Sequence, residues 1–266
     1  MSFLFGWIGS RGDPRAREVV GQMSRVLRTS DAEASAAWIF EGGAIGLMTS
    51  PTEKEICQGQ PTVSSDGRYS LWVAGEMFSS ASLRVAVHDP ASVTRVEFRR
   101  ALLQACLNDF DATVAALDGE YHIAIWDARD RVLTLANDRF GGLPLYYAST
   151  SQETPGWSFA GGVRGVLMAP GVSADPDADA LAEAVTFGGF RLGDRTQIAS
   201  IKMLSGGTIV SVSDRRPRFR RYWDWSRIPD TPFADRRAVI EEMWRLWQKA
   251  VASRLAGAQR PGQTLS

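Results

Sequence analysis

Cysteine and histidine are scarce in this sequence, which has two of each among its 266 residues: Cys57, Cys106, His88 and His122. Two cysteines cannot build a disulfide framework, and the four side chains lack the clustered spacing of a zinc site. We therefore expect no metal site, and we expect both cysteines to be free thiols in half-buried packing positions.

Net charge and long apolar runs are also lacking. Thirty basic side chains balance thirty acidic ones, so no net field favours nucleic acid or an anionic membrane. No apolar run approaches the ~20 residues that span a bilayer. The opening MSFLFGWIGSRG lacks the basic segment that begins a signal peptide. These absences predict a cytoplasmic protein that binds neither nucleic acid nor membrane.

Short apolar segments make up much of what is present. The runs SFLFGWIG, AAWIF, AIGLM, YSLWVAG and YHIAIWD, bounded by glycine or turn residues, are typical of antiparallel strands. Helical spacing of apolar residues predicts helices after Pro14, over 94–108 and around 177–187. Strand clusters separated by a few helices indicate an α+β fold with stacked sheets, not a parallel α/β protein.

The composition changes near residue 223. The segment WDWSRIPDTPF is rich in proline and tryptophan and predicts a connector, and residues 235–255 then carry an apolar stripe at helical spacing. Little chain follows this helix to cover the stripe. We therefore divide the chain into a main domain over 1–222 and a connector with a helix over 223–266. We expect four tryptophans to anchor the junction: Trp223, Trp225, Trp244 and Trp247.

One segment carries a specific resemblance. Residues 117–147, LDGEYHIAIWDARDRVLTLANDRFGGLPLYY, resemble the part of asparagine synthetases in which a strand leads to Trp-Asp and then to Asp-Arg-x-Gly-x-x-Pro-Leu-Tyr-Tyr. The residues in register include Asp138, Arg139, Gly141, Pro144 and Tyr146. Segments that begin at residues 157 and 195 resemble the family as well, so the resemblance covers nearly the whole chain.

The resemblance to the asparagine synthetase family implies the four-layer αββα sandwich, with antiparallel sheets, of class II glutamine amidotransferases in the N-terminal-nucleophile group. It also implies a following ligase domain that holds ATP and Mg²⁺, with Ser266 at the start of its pyrophosphate loop. We expect the sequence to be a truncated piece of such a protein or the product of a broken reading frame, with a naturally short protein as the alternative, and we expect no cofactor in the part present.

Glutamine hydrolysis in that family requires an N-terminal cysteine whose own α-amine acts as general base. The family signature is Met-Cys-Gly-Ile, and the best alignment of the first strand puts Phe5 at the nucleophile position, followed by Gly6. Phenylalanine cannot attack a carboxamide. We therefore predict that this pocket has no catalytic residue.

The other parts of the glutaminase site are altered too. The family builds its oxyanion hole from Asn-Gly-Glu, where this chain has Ala74, Gly75 and Glu76. The family also holds the glutamine substrate with an arginine, which the segment 45–48 lacks, and with an aspartate whose position falls near Glu97 or Phe98. The sequence therefore predicts a degenerate glutaminase pocket.

Three features have alternative interpretations. Ser2 would become an N-terminal nucleophile if Met1 were removed, but in this register it stands three residues too early. His122 could transfer a proton, but we expect it to pack or bond locally. Asp138 and Arg139 could be catalytic, but we expect them to form a buried ion pair that fixes the glycine loop after them.

Three functions remain open. The first is an ATP-dependent ligase that joins a carboxylate to an amine not taken from glutamine. Such an enzyme resembles β-lactam synthetases and the lasso-peptide cyclases that form an isopeptide bond. Its partners would be the C-terminal ligase domain, a precursor peptide and the maturation protease of that peptide. The second is a divergent glutamine-hydrolysing asparagine synthetase, and the third is a non-catalytic binding or scaffolding module.

Overall fold

The computed structural model describes residues 2–30, 33–50, 59–80, 96–150, 155–188, 193–213, 216–230 and 235–255. The described strands are β1 (Phe3–Ile8), β2 (Ala34–Phe40), β3 (Gly43–Thr49), β4 (Thr62–Val63), β5 (Tyr69–Ser80), β6 (Leu117–Asp127), β7 (Val132–Asn137), β8 (Tyr146–Ser149), β9 (Trp157–Ala160), β10 (Lys202–Met203), β11 (Thr208–Ser213) and β12 (Arg216–Arg221). The helices are α1 (Ala16–Leu27), α2 (Val96–Asn108), α3 (Phe110–Ala116), α4 (Val163–Val166), α5 (Ala178–Thr186) and α6 (Arg236–Leu255), with a short 3₁₀ turn at Trp225–Arg227.

These strands form two six-stranded antiparallel sheets. The order in sheet A is β10-β8-β9-β1-β3-β2, and the order in sheet B is β12-β11-β7-β6-β5-β4. Helices α1 and α4 cover the outer face of sheet A, and α2 and α3 cover the outer face of sheet B. The α+β class and the four-layer αββα sandwich with antiparallel sheets are therefore confirmed.

The alternation of side chains along β1 explains how the layers are joined. Leu4 and Ile8 lie in the core between the two sheets, whereas Phe5 and Trp7 lie in the core between sheet A and α1. Side chains on a strand point alternately to its two faces, so a fully apolar strand can supply two cores at once. The first strand of the sequence is therefore central in its sheet and buried on both faces.

Helix α1 shows the same agreement between sequence pattern and packing. Val19, Val20, Met23 and Leu27 recur at helical spacing, and all are buried against sheet A. The helix begins at Ala16, and just before it Asp13 accepts hydrogen bonds from the backbone and side chain of Arg15. The helices predicted from the sequence over 94–108 and around 177–187 correspond to α2 and α5.

The elements that the sequence did not predict include α3, α4 and β12. The first two helices have seven and four residues, which is too short for an apolar period to emerge. Strand β12, with the sequence RPRFRR, has no apolar alternation and forms the edge of sheet B. Its arginines and its proline fit an edge, where a strand is not buried between two neighbours.

Helix α6 is exposed along its length. No residue of α6 is buried, and its large apolar side chains include Ile240, Met243, Trp244 and Trp247, with the last two rings stacked 5.0 Å apart. The Arg254 guanidinium lies 4.5 Å from the ring centre of Phe78 in β5. Within the described residues, no helix is both long enough and apolar enough to cross a membrane.

Cys106 is a free thiol on α2, buried among apolar side chains of sheet B. Burial raises the pKa of this thiol to about 12. The other cysteine, Cys57, lies outside the described residues.

Candidate functional site

The two sheets meet at a hydrogen bond between Ser2 and Gly75. The Gly75 backbone N–H donates to Ser2 Oγ at 2.8 Å, and both residues are buried. Ser2 precedes β1 in sheet A, and Gly75 belongs to β5 in sheet B. The position beside the expected oxyanion-hole glycine is thus occupied by a serine hydroxyl.

The position of Ser2 differs from the sequence alignment, which put Phe5 at the nucleophile position. Phe5 points to the helix side of sheet A, where its ring lies over Gly46 of β3. Gly6 packs against the Phe159 ring. Alternation along β1 could have revealed this, because Ser2 shares a strand face with Leu4 and Ile8, whereas Phe5 shares the opposite face with Trp7.

Only glycine fits at position 75. Its φ is +92°, and an added Cβ would lie 2.0 Å from the Glu120 carbonyl oxygen and 2.6 Å from a methyl carbon of Leu143. Gly75 adopts this left-handed backbone conformation, and its N–H donates to Ser2, the residue before the first strand of the other sheet. Ala74, beside it, packs in the core between the sheets and has no polar side-chain atom to donate a second hydrogen bond.

His122 lies next to this contact. It pairs with Ala74 across the β5–β6 ladder, its Nδ1 lies 3.4 Å from the Leu4 backbone N, and its Nε2 lies 3.1 Å from the Leu143 carbonyl oxygen. Burial lowers the pKa of His122 to about 4. The imidazole is therefore neutral at pH 7, and the expectation of local packing and bonding for His122 is confirmed.

Asp138 organises the loop that follows β7. Its buried carboxylate accepts hydrogen bonds from the backbone N–H groups of Phe140 at 3.0 Å, Gly142 at 3.1 Å and Leu143 at 3.4 Å. Leu143 then contacts both His122 and Gly75. The loop that carries the family motif therefore forms one wall of the Ser2–Gly75 site.

The expected ion pair between Asp138 and Arg139 does not form in the described part of the chain. Arg139 instead donates from Nη2 to the Ala115 carbonyl oxygen at 2.6 Å, at the end of α3. The Asp138 carboxylate instead accepts hydrogen bonds from backbone N–H groups of the tight loop that follows it. The prediction that Asp138 fixes the glycine loop is correct, but the partner was wrong.

The remaining motif residues have structural positions. Gly141 has a φ of +65° and lies against Gly206, Pro144 is exposed, and the half-buried Tyr146 packs in β8 toward the core under α1. Phe140, 63% exposed, forms an aromatic cluster with Trp223 and Trp225, its ring centre 5.1 and 5.5 Å from theirs.

Two predicted pocket residues lie away from the Ser2–Gly75 contact. Glu76 follows Gly75 but is exposed, and Glu97 is exposed in the first turn of α2 in the outer helical layer. The hydrogen bond between Ser2 and Gly75 involves neither glutamate. The segment Ile45–Met48 is buried in β3 and offers no cationic side chain.

A family model described as a glutamine amidotransferase domain matches residues 1–223. The chain belongs to this glutamine amidotransferase family. Over 188 residues this amidotransferase domain is 23% identical to glutamine-hydrolysing asparagine synthetase 3 of Bacillus subtilis strain 168, a match that covers 70% of the chain and 30% of that protein. The chain thus spans less than a third of the length of this curated relative.

Two solved structures resemble the domain in fold. One is the glutamine phosphoribosylpyrophosphate amidotransferase of B. subtilis complexed with ADP and GMP, with a TM-score of 0.52 and 14% identity over 84% of this chain and 49% of that one. The other, described as the allosteric regulatory enzyme of purine biosynthesis, has a TM-score of 0.52, 12% identity and the same coverage. At these identities the likeness shows the fold alone.

Proposed function

We propose that this amidotransferase domain is part of an ATP-dependent, amide-forming ligase of the asparagine synthetase type and that it has lost glutamine hydrolysis. A ligase domain after residue 266 would bind ATP and Mg²⁺, so no residue of this chain is assigned to them. The ligase would transfer AMP to a substrate carboxylate with release of pyrophosphate. An amine would then attack the acyl-adenylate and release AMP.

The proposed loss of glutaminase activity rests on one observation. The group that accepts the hydrogen bond of the Gly75 N–H is the hydroxyl of Ser2, not a thiol. A serine hydroxyl is a weaker nucleophile than a cysteine thiolate near neutral pH. Ala74 supplies no side-chain donor for an oxyanion, and removal of one such donor costs about 10²–10³ in rate. The apolar segment Ile45–Met48 further argues against a clamp for the charged ends of glutamine.

The loss of ammonia production favours a ligase whose amine belongs to the substrate itself. Lasso-peptide cyclases are of this kind, and we propose an isopeptide-forming reaction on a precursor peptide that is cut by a maturation protease. The exposed apolar face of α6 and the aromatic cluster at Trp223 support a C-terminal ligase domain as the partner.

The test uses the whole protein with ATP, Mg²⁺, glutamine and candidate peptides that carry an Asp or Glu side chain. We expect AMP and pyrophosphate to form with loss of water from the peptide, and no glutamate to form from glutamine. Stoichiometric glutamate release, or synthesis of asparagine from aspartate and glutamine, would show a working glutaminase instead. Peptide binding without any turnover of ATP would leave only a scaffolding module.

The Ser2–Gly75 contact favours a second candidate, an N-terminal serine amidohydrolase. Removal of Met1 would give Ser2 a free α-amine. Ser2 Oγ would attack an amide carbonyl while the α-amine accepts the hydroxyl proton and passes it to the leaving amine, and water would then hydrolyse the ester. Gly75 N–H, now 2.8 Å from Ser2 Oγ, would turn to the oxyanion.

Intact mass and amide hydrolysis separate the two candidates. The serine hydrolase requires a chain that begins at Ser2, and its turnover of glutamine and small amides would be abolished in the S2A variant. The degenerate-domain proposal requires equal, background rates for the wild type and S2A, whatever the N-terminus. The S2T variant is a control for S2A. It keeps the hydroxyl that the hydrolase would use but adds a methyl group at a buried position.

A further inference from the structure

The edge strand β12 of sheet B is strongly basic, in a chain whose net charge is zero. Four of the six residues of β12 are arginines, and all four are exposed: Arg216, Arg218, Arg220 and Arg221. Arg220 is bound to Asp111 of α3 at 2.7 Å. In the described part of the chain, the other three form no ion pair.

A cleft adjoins this edge, between the outermost strands of the two sheets. It has a volume of about 300 Å³ and is lined by Tyr147, Asp194, Ser205, Phe219 and Arg221 among others. The rings of Tyr147 and Phe219 lie 5.0 Å apart, and Phe219 is 44% exposed. Asp194 is paired with Lys202 at 3.3 Å, and Arg221 interacts electrostatically with Asp224. Among the described residues, the cationic charges without a carboxylate partner are therefore those of Arg216 and Arg218.

We propose that β12 and this cleft bind an extended, acidic peptide segment with an aromatic or large apolar side chain. Alternate residues on a strand are separated by about 6.6 Å, which is also the spacing of alternate side chains in an extended peptide. Arg216 and Arg218 therefore match carboxylates at every second position. The forked guanidinium group favours carboxylate partners, and the Tyr147–Phe219 ring pair receives the apolar side chain.

Charge favours an acidic peptide over two other occupants, a second copy of the chain and nucleic acid. A second copy of the chain would bring its own β12 arginines against these, and Pro217 removes one backbone donor from the edge, so strand pairing between copies is opposed. Nucleic acid would need a broader basic field, which a neutral chain with an acidic Asp111 and Asp194 beside the edge does not provide.

The experiment measures fluorescence anisotropy of a labelled peptide, Gly-Ser-Glu-Phe-Glu-Ser-Gly, titrated with the full chain at about 50 mM NaCl. We expect saturable binding that weakens about tenfold when both glutamates are replaced by glutamine, and that weakens again as salt is raised. The R218E variant should bind about tenfold more weakly, and F219A should weaken binding of this peptide but not of one with alanine in place of phenylalanine.

The matched control is R17E, which makes the same charge change at an exposed arginine of α1 on the opposite side of the sandwich, and should alter the affinity by less than about twofold. Equal losses in R17E and R218E, equal binding of the glutamine peptide, or tighter binding of a single-stranded oligonucleotide of equal charge would overturn the proposal. A dimer in sedimentation that the R218E substitution converts to monomer would overturn it as well. Binding needs neither ATP nor glutamine, so this result is independent of the ligase chemistry proposed above.

Discussion

His122 connects the two sheets through the backbone of Leu4. Its Nδ1 accepts the Leu4 N–H at 3.4 Å, so the ring proton resides on Nε2, which donates to the Leu143 carbonyl oxygen at 3.1 Å. A proton on Nδ1 would remove the acceptor and place a charge in a site with no access to water. The neutral ring is therefore part of the native packing between β1 and β6.

This contact predicts a loss of stability in mild acid. The pKa of His122 falls from 6.5 to about 4 because of burial, so the folded state binds fewer protons than the unfolded state between these values. The stability contribution is complete above pH 6.5 and is lost as the pH falls toward 4, by about 3 kcal/mol in total. Urea unfolding at a series of pH values measures it.

The H122Q variant should lose this part of the pH dependence, because glutamine can donate to Leu143 and accept from Leu4 without titrating. The H88Q variant changes the chain's other histidine, so comparison of its pH profile with that of H122Q assigns the titration to one of the two histidines. Parallel pH profiles for the wild type and H122Q would show that His122 is not the titrating group.

Gly75→Ala should be severely destabilising. The new Cβ would meet the Glu120 carbonyl oxygen at 2.0 Å in a left-handed backbone conformation. We expect a loss of about 3 kcal/mol or more in the free energy of unfolding. Gly67→Ala is the matched control: its φ is +73°, but no atom lies within 4 Å of the new Cβ, so only about 1 kcal/mol should be lost. Equal losses would mean that the close contact relaxes.

Asp138→Ala should loosen the loop between β7 and β8. Three backbone N–H groups lose their acceptor, and we expect a loss of about 2–4 kcal/mol in chemical unfolding. Asp138→Asn should cost less, because Oδ1 alone accepts two of the three bonds. Asp130→Ala, at an exposed carboxylate paired with Arg68, should cost under about 1 kcal/mol. A loss that small in D138A would rule out the organising role of Asp138.

Cys106 should react very slowly with thiol reagents in the native protein. Burial raises the pKa of its thiol to about 12 and shields the sulfur, so almost no accessible thiolate exists at pH 8. Alkylation of the C57S variant, which leaves Cys106 as the single thiol, should be at least about 10³-fold slower in buffer than in denaturant. Fast native labelling would show that α2 opens readily from sheet B.

Much of this architecture could be predicted from the sequence. Apolar runs of the right length between turn residues indicated the strands, and the helical period of Val19, Val20, Met23 and Leu27 indicated α1. The motif from Leu117 to Tyr147 carried the family resemblance, and the family model matches residues 1–223. Local patterns suffice here because strand and helix periods follow from backbone geometry alone.

The site was less predictable. The alignment put Phe5 where the structure brings Ser2, since similarity over a few apolar residues does not determine which strand face each residue occupies. The partner of Arg139, the carbonyl oxygen of Ala115, is 24 residues away and belongs to a helix that the sequence pattern did not indicate.

The sequence by itself determined the chemistry that is available: serine near the N-terminus, alanine before Gly75, few histidines and cysteines, and arginines concentrated near residue 218. Only the tertiary structure decided which of these groups meet. Ser2 and Gly75 are 73 residues apart and touch because two separate sheets pack face to face. Such contacts depend on strand order and on packing between layers, which no local pattern along the chain encodes.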